Sequence, residues 1–390
     1  MEEDRIIYLD HAATTPVHPE VVEAMLPYFG ERYGNASSMH SLGREAHHGL
    51  EKARNEVAGI LNCSPAEVVF TSCGTESDNL ALRGTAWMNR RRGDHIITSS
   101  IEHHAVGHTC EQLERDFGFE VTYLPVDEYG FVDPADVEAA ISETTILISV
   151  MYANNEVGTV EPIAEIGEIA RSHGIPFHTD AVQAAGALSL DVQELKVDLL
   201  SLSAHKFYGP KGVGLLYVRD GMHILPMQTG GGHEGGLRSG TENVAGIVGL
   251  ATALKLAEAR REEESQRLTV LRDYLVQGIS STIDHCRLLG HPDRRLPNNA
   301  SLAFEYVEGE GILMSLDLEG IATSSGSACS TGSSAPSHVL LAMGVPPEVA
   351  RGSVRMTLGQ ENTHEDVDRV LEVLPGIIER LRSMSPLYPG

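Results

Sequence analysis

From residue 67 onward one pattern repeats: a short apolar run, a turn of small or polar residues, then apolar residues at helical spacing. The apolar runs are Val68-Val-Phe70, His95-Ile-Ile-Thr98, Glu120-Val-Thr-Tyr-Leu124, Thr145-Ile-Leu-Ile-Ser-Val150 and Pro176-Phe-His178. Two more follow, Val197-Asp-Leu-Leu-Ser-Leu202 and Val213-Gly-Leu-Leu-Tyr-Val218. Helical spacing predicts helices from about 74 to 89 and near 104–116, 134–141 and 162–173. Few architectures accept such an alternation. Parallel strands need long crossovers, and the helices in those crossovers cover the faces of the sheet. The pattern predicts an α/β fold with a mostly parallel sheet, whose ligands sit at the carboxyl ends of the strands.

Around this block the reading is coarser. A short strand is expected at 6–9 and helices near 19–29 and 41–61. Between those helices, Gly34-Asn35-Ala-Ser-Ser38 is a loop of small polar residues suited to facing a ligand. After the block come a glycine loop, Gly230-Gly-Gly-His-Glu-Gly-Gly236, and a long helix near 242–279. The remainder mixes short strands with helices and reads as a smaller α+β domain.

Composition narrows the function. At 390 residues and 42% hydrophobic, the chain has enough apolar content for two domains. It contains no apolar run long enough for a membrane span, and its acidic start lacks the apolar core of a signal peptide. A soluble, cytoplasmic protein is expected. A formal charge of −26 disfavours direct binding of nucleic acid. Arg90-Arg91-Arg92 falls at an expected helix end, where cations complement the dipole, and reads as structural. The five cysteines (63, 73, 110, 286 and 329) are widely spaced and form no C-x-x-C, which fits a reducing compartment rather than a disulfide framework.

The chemistry-bearing residues cluster at expected strand ends. Ser203, His205 and Lys206 follow the 197–202 run, before Gly209-Pro210 turns the chain. Lysine is scarce here, five residues against 24 arginines. A partly desolvated lysine at such a place is a competent nucleophile towards an aldehyde, although a surface lysine in a turn would have the same sequence. Pyridoxal phosphate needs a Schiff-base lysine, an anion at its ring nitrogen, a phosphate seat and a group over the ring. Lys206, Asp180, Gly74 and Thr75 with Ser203 and His205, and His103 could supply these in turn. Taken singly, Asp180 and Gly74-Thr75 also read as ordinary helix starts. His104 and His108, four apart, raise zinc as an alternative, but no third ligand stands at a fitting spacing.

Nine segments taken in order resemble the cysteine desulfurases, in the NifS/IscS branch of the class V aminotransferase family. They are Tyr8-Leu-Asp-His-Ala-Ala-Thr-Thr-Pro16, Gly74-Thr-Glu-Ser-Asp-Asn79, Glu102-His103, Asn154-Asn-Glu156 and Asp180-Ala-Val-Gln183. The others are Ser203-Ala-His-Lys-Phe-Tyr-Gly-Pro-Lys-Gly212, Arg238-Ser-Gly-Thr-Glu-Asn243, Ser325-Gly-Ser-Ala-Cys329 and Val354-Arg-Met-Thr-Leu-Gly359. The resemblance covers essentially the whole chain.

It implies a fold-type I pyridoxal 5'-phosphate enzyme and a homodimer. The large domain would span 15–257 around a mostly parallel seven-stranded sheet. The small α+β domain would take 1–14 and 258–390. The implied reaction turns L-cysteine into L-alanine and moves the sulfur onto an enzyme thiol as a persulfide. By position, Lys206 is the Schiff-base lysine and proton shuttle, Asp180 pairs with the ring nitrogen, and Gln183 bonds the phenolic oxygen. His103 stacks on the ring and is grouped with Lys206 and Cys329 as catalytic. Gly74, Thr75, Ser203 and His205 hold the phosphate, with Thr241 reaching in from the other subunit. Asn155 and Arg355 grip the substrate carboxylate, Asn155 also lying beside the cofactor, and Asn35 assists.

Cys329 is the implied sulfur acceptor, in a Ser/Gly-rich stretch that favours the branch with a long cysteine loop. Whether it also ligates an iron–sulfur cluster is left open; no metal is required for desulfuration. The implied destination of the sulfur is an iron–sulfur scaffold protein or another acceptor, with thiolated RNA bases reached through carriers. The short end after Arg382 leaves the mode of scaffold docking undetermined. The competing readings are a selenocysteine lyase or another class V aminotransferase-like enzyme, and a non-catalytic assembly protein that has kept the fold.

Overall fold

The computed structural model describes residues 5–325, 336–386 and 388–389. Twelve strands are present among them: β1 (Ile7–Tyr8), β2 (Val68–Thr71), β3 (His95–Ser99), β4 (Glu120–Leu124), β5 (Thr145–Ser149) and β6 (Phe177–Asp180). The series continues with β7 (Leu199–Ser203), β8 (Gly214–Val218), β9 (Cys286–Leu288), β10 (Asn299–Phe304), β11 (Ile321–Ala322) and β12 (Ser353–Thr357). Seven form one sheet in the order β2-β8-β7-β6-β5-β3-β4. Pairing is parallel from β7 through β4, whereas β8 runs antiparallel to both β7 and β2. The fold is therefore the α/β, mostly parallel architecture that the alternation required.

The central sheet strands are buried along their length because helices cover both faces, so the two-residue alternation of a half-exposed strand is absent. All five residues of β3, β5, β7 and β8 are buried. The edge strand β4 is the exception, with two of its five residues exposed. One face carries the helix Ser41–Leu61, whose buried residues (Ala46, Leu50, Ala53, Val57 and Leu61 among them) recur every three or four positions. Its chain leaves through Asn62, a left-handed cap at φ 55°.

Two expected elements differ in detail. The 19–29 helix is two pieces, Pro19–Met25 and Pro27–Gly30. Pro27 has no N–H to continue the ladder, so the helix is interrupted there. The long helix runs over Val244–Thr282, starting behind Asn243, whose side chain accepts from Gly246 N.

Apolar side chains gather in distinct clusters. The largest runs from Val21 to Ala257 and packs β2, β5, β6, β7 and β8 against the surrounding helices. Another holds Leu9 together with residues from Leu268 to Ile378, built on β10, β12 and the helix His364–Ser383. The β1–β11 pair ties the amino-terminal segment to this second cluster, with Ile7 opposite Ile321. Among the described residues, no helix is long and apolar enough to cross a membrane.

Candidate active site

The carboxyl ends of β3, β5, β6 and β7, the start of the helix Gly74–Asn89 and one residue of β12 converge on a cavity of about 290 Å³. Ten of the residues singled out from sequence line it: Gly74, Thr75, His103, Asn155, Asp180, Gln183, Ser203, His205, Lys206 and Arg355. Asn35 and Thr241 are exposed and lie outside the cavity of their own chain. Asn35 uses its side-chain oxygen to accept from Ser37 N at 2.8 Å. Cys329 lies outside the described residues.

Lys206 is held by a local fold written into its own segment. β7 ends at Ser203, and Ala204–Lys206 makes a single tight helical turn. Gly209 then brings the chain back, its N–H donating to Ala204 O at 2.9 Å. A side chain there would put Cβ 2.8 Å from Ala204 O and from Ala204 Cβ, so glycine is required for the close approach. The Lys206 ammonium donates to Ala12 O at 2.6 Å and to Ala13 O at 2.8 Å. Gln183 Nε2 donates to the same Ala12 O at 3.0 Å. The small residues of the 10–16 segment thus form one wall and aim Lys206 across the cavity.

Asp180 is the last residue of β6 and is buried, with Oδ1 accepting from Val182 N at 2.9 Å. Burial raises its carboxyl to about 6; the Val182 N–H and the Lys206 charge work the other way. His103 is both a helix cap and a cavity wall. Its Nδ1 accepts from Ala105 N at 3.1 Å, which leaves the ring proton on Nε2 in the neutral form. Burial, with Lys206 and the neighbouring histidines, lowers it to about 4, so the ring facing the cavity is uncharged at neutral pH. His205, bonded through Nδ1 to Thr14 Oγ1 at 3.1 Å, is likewise lowered to about 4 by burial and the Lys206 charge.

Arg355 is buried on β12 and enters from the opposite side. Its Nη1 donates to Asn155 O at 3.0 Å and its Nη2 to Asp10 Oδ1 at 2.8 Å. Its Nε is buried without a hydrogen-bond partner among the described residues. A guanidinium clamped on two sides, with a donor still unmet, is suited to a planar carboxylate ligand. Asp10 had no role assigned from sequence. It lies inside the Tyr8–Pro16 segment, but its pairing with Arg355 joins residues 345 positions apart and leaves no local trace.

The residues fit pyridoxal phosphate. Cys73, the cap residue of the Gly74–Asn89 helix, makes no side-chain capping bond, so the first-turn N–H groups open onto the cavity beside Ser203 and His205. A Cβ on Gly74 would lie 2.8 Å from Val182 Cγ2, so only glycine keeps this seat open. A buried carboxylate, a lysine amine and an uncharged imidazole face the same space. The zinc alternative finds no support. The His104 and His108 rings stack at 4.5 Å, and neither belongs to the one metal-compatible group among the described residues, Asp78, His103 and Asp180.

The family model for class-V aminotransferases matches residues 7–370. A curated relative, cysteine desulfurase IscS of Methanosarcina thermophila, is 56% identical over 387 residues, covering 99% of this chain and 95% of the relative. Cysteine desulfurase IscS of Dictyoglomus turgidum is 53% identical, covering 98% and 97%. Among solved structures, a NifS-like protein superposes with a TM-score of 0.91 at 40% identity, covering 96% of this chain and all of that one. SspA in complex with cysteine superposes with a TM-score of 0.80 at 39% identity, covering 90% and 98%. This chain belongs to the class-V aminotransferase family, among its cysteine desulfurases, and is a pyridoxal phosphate-dependent enzyme.

Proposed function

We propose that the protein is a cysteine desulfurase that converts L-cysteine to L-alanine, places the sulfur on Cys329 as a persulfide and passes it on to iron–sulfur cluster assembly. The observation that carries the reading is the meeting of Lys206 and Asp180, at the ends of successive strands, with Arg355 from the distant β12 on one cavity. The bound cofactor supplies an electron sink for the bonds at the substrate's α- and β-carbons.

In this reading Lys206 anchors the cofactor and then carries protons to and from the substrate carbons, aimed by Ala12 and Ala13. Asp180 holds the ring nitrogen, and the His103 imidazole packs over the ring. Gly74, Thr75, Ser203 and His205 receive the phosphate, with Thr241 supplied by a second copy in a homodimer. Gln183, whose Nε2 donates to Ala12 O, would hold the phenolic oxygen. Arg355 and Asn155 receive the substrate carboxylate, and Asn35 approaches from its loop.

The Cys329 thiolate attacks the substrate sulfur and the substrate's C–S bond breaks. Cys329 keeps the sulfur as S–SH, and the carbon skeleton takes up a proton and leaves as alanine. The receiving partner is an iron–sulfur scaffold or another acceptor thiol, in the cytoplasm. The domain division at 15–257 against 1–14 with 258–390 is supported by the two large apolar clusters, one from Val21 to Ala257 and the other joining Leu9 to Leu268 and beyond.

The decisive experiment is incubation with L-cysteine, with alanine quantified and sulfane sulfur mapped by mass spectrometry. The expected result is alanine formation with sulfur on Cys329, and neither persulfide nor alanine turnover in Cys329→Ser. Burial pushes the Cys63 and Cys286 thiols up to about 12 and raises Cys110 further, so these are poor nucleophiles. Cys73 lines the cavity beside Gly74, at the phosphate end. Sulfur mapped to any of these four would overturn the assignment of Cys329.

A further inference from the structure

The helix that offers its first turn to the cavity also carries Asp78 into the floor below it. Asp78 is 1% exposed, and its Oδ1 has no hydrogen-bond partner among the described residues. One oxygen of Asp78, one of Asp180 and a ring nitrogen of His103 all lie within 4.8 Å of one another. Two carboxylates at that separation, out of water, do not both hold a charge; one proton stays with the pair.

The surroundings decide where that proton sits. His178 Nε2 is 3.6 Å from Asp78 Oδ1 and is the cation that could neutralise it. The His178 ring, however, is wholly buried, with Nδ1 at 2.9 Å from Ser149 Oγ and Nε2 at 3.0 Å from Ser201 Oγ. Burial lowers it to about 3, so this contact is between neutral groups and not an ion pair. The other groups facing Asp78 are Asp180, Glu102 and Cys73, whose charges disfavour a second anion, the Ser201 hydroxyl, which favours it, and the His103 ring, which is neutral. Asp180, by contrast, has a backbone N–H and the Lys206 charge on its side.

We propose that Asp78 carries a proton in the folded enzyme at neutral pH and acts as a positioning residue for Asp180, leaving Asp180 as the single charged carboxylate of the pair. Its chemistry is electrostatic: an ionised Asp78 would put a second negative charge beside the ring nitrogen and push Asp180 towards its neutral form. The directions agree, since burial and the Asp180 charge raise Asp78 well above the usual aspartate range, whereas the Val182 N–H and the Lys206 charge pull Asp180 down. From the proposed function this takes only that Asp180 faces the cofactor's ring nitrogen; it is independent of which thiol accepts sulfur.

Infrared difference spectroscopy on enzyme made with carboxyl-labelled aspartate reads the carbonyl stretch of a protonated aspartic acid directly. At about pH 8, roughly two units above the Asp180 value, Asp180 itself is ionised. The parent should show a protonated aspartate band, kept in His178→Gln, lost in Asp78→Asn and titrating at lower pH in Asp180→Asn, where the neighbouring charge is gone. Absence of the band from the parent, its survival in Asp78→Asn, its loss in His178→Gln, or a titration midpoint unchanged in Asp180→Asn would overturn the proposal. Should Asp78→Asn fail to fold, the parent and the other two variants still decide it. A parent with the band that makes no alanine from cysteine would instead refute the desulfurase reading and leave this one standing.

Discussion

At the scale of single residues, the site combines groups whose surroundings push them to opposite states. The His103 and His205 rings are kept neutral by burial beside the Lys206 ammonium, and Asp180 is steadied by a backbone N–H and that same charge. Lys206→Ala should therefore abolish alanine formation and the visible Schiff-base absorption. It should leave the unfolding midpoint near that of the parent, because a half-buried amine contributes little packing. Retained turnover would refute the role of Lys206. Arg355→Lys keeps the charge but loses the planar fork that Asp10 and Asn155 hold in place. The apparent KM for cysteine should rise about tenfold, equivalent to roughly 1.4 kcal/mol. An unchanged KM would place the carboxylate grip elsewhere.

At the scale of elements, the phosphate seat depends on how closely the β7–β8 hairpin approaches the Gly74–Asn89 helix. Gly214 opens β8 opposite Ser203, and a Cβ there would stand 2.7 Å from both Cys73 C and Leu202 O. Both contacts are backbone and neither can swing away. Gly214→Ala should push the Cys73–Gly74 turn out of place, costing about 1–3 kcal/mol of stability. The Kd for pyridoxal phosphate should rise with it. Equilibrium dialysis of cofactor against the variant checks this, and parent-like affinity would mean that the turn relaxes without disturbing the seat.

At the scale of the whole molecule, buried acids make stability depend on pH in a definite direction. Burial raises Glu102 and Glu161 to about 8 and Glu156 to about 7. A carboxyl whose folded pKa lies above its unfolded value gives stability that is complete below the unfolded value and lost as pH rises through the folded one. The buried histidines act oppositely, since their lowered folded values cost stability as pH falls below about 6.5. Above about pH 6.5 the carboxyls act alone, so the cofactor-free protein should lose stability between about pH 6.5 and 8. Glu161 lies away from the cavity, accepts from Val132 N through Oε2 and has no partner at Oε1 among the described residues. Glu161→Gln should flatten that slope by about one proton, read from denaturant midpoints across the range. A slope equal to the parent's would mean that Glu161 is ionised in the fold.

The sequence by itself determined the sheet, the helices over it and ten of the residues that share the cavity. The strands, the helices and the residues just after the sheet strands are legible because they obey local rules, whereas Arg355, on β12 outside that sheet, came only from the family resemblance. Position alone put Lys206 and Asp180 at strand ends, and the family resemblance separated them from a surface lysine and an ordinary helix cap. The tertiary structure alone decided what distant segments do to one another. The Asp10–Arg355 pair, the Ala12 carbonyl shared by Lys206 and Gln183, and the nearness of Asp78 to Asp180 each join elements far apart in the chain. Burial is likewise a property of the packed whole. The same aspartate is an ordinary anion on a surface and a proton carrier once β6, β7 and a helix close around it.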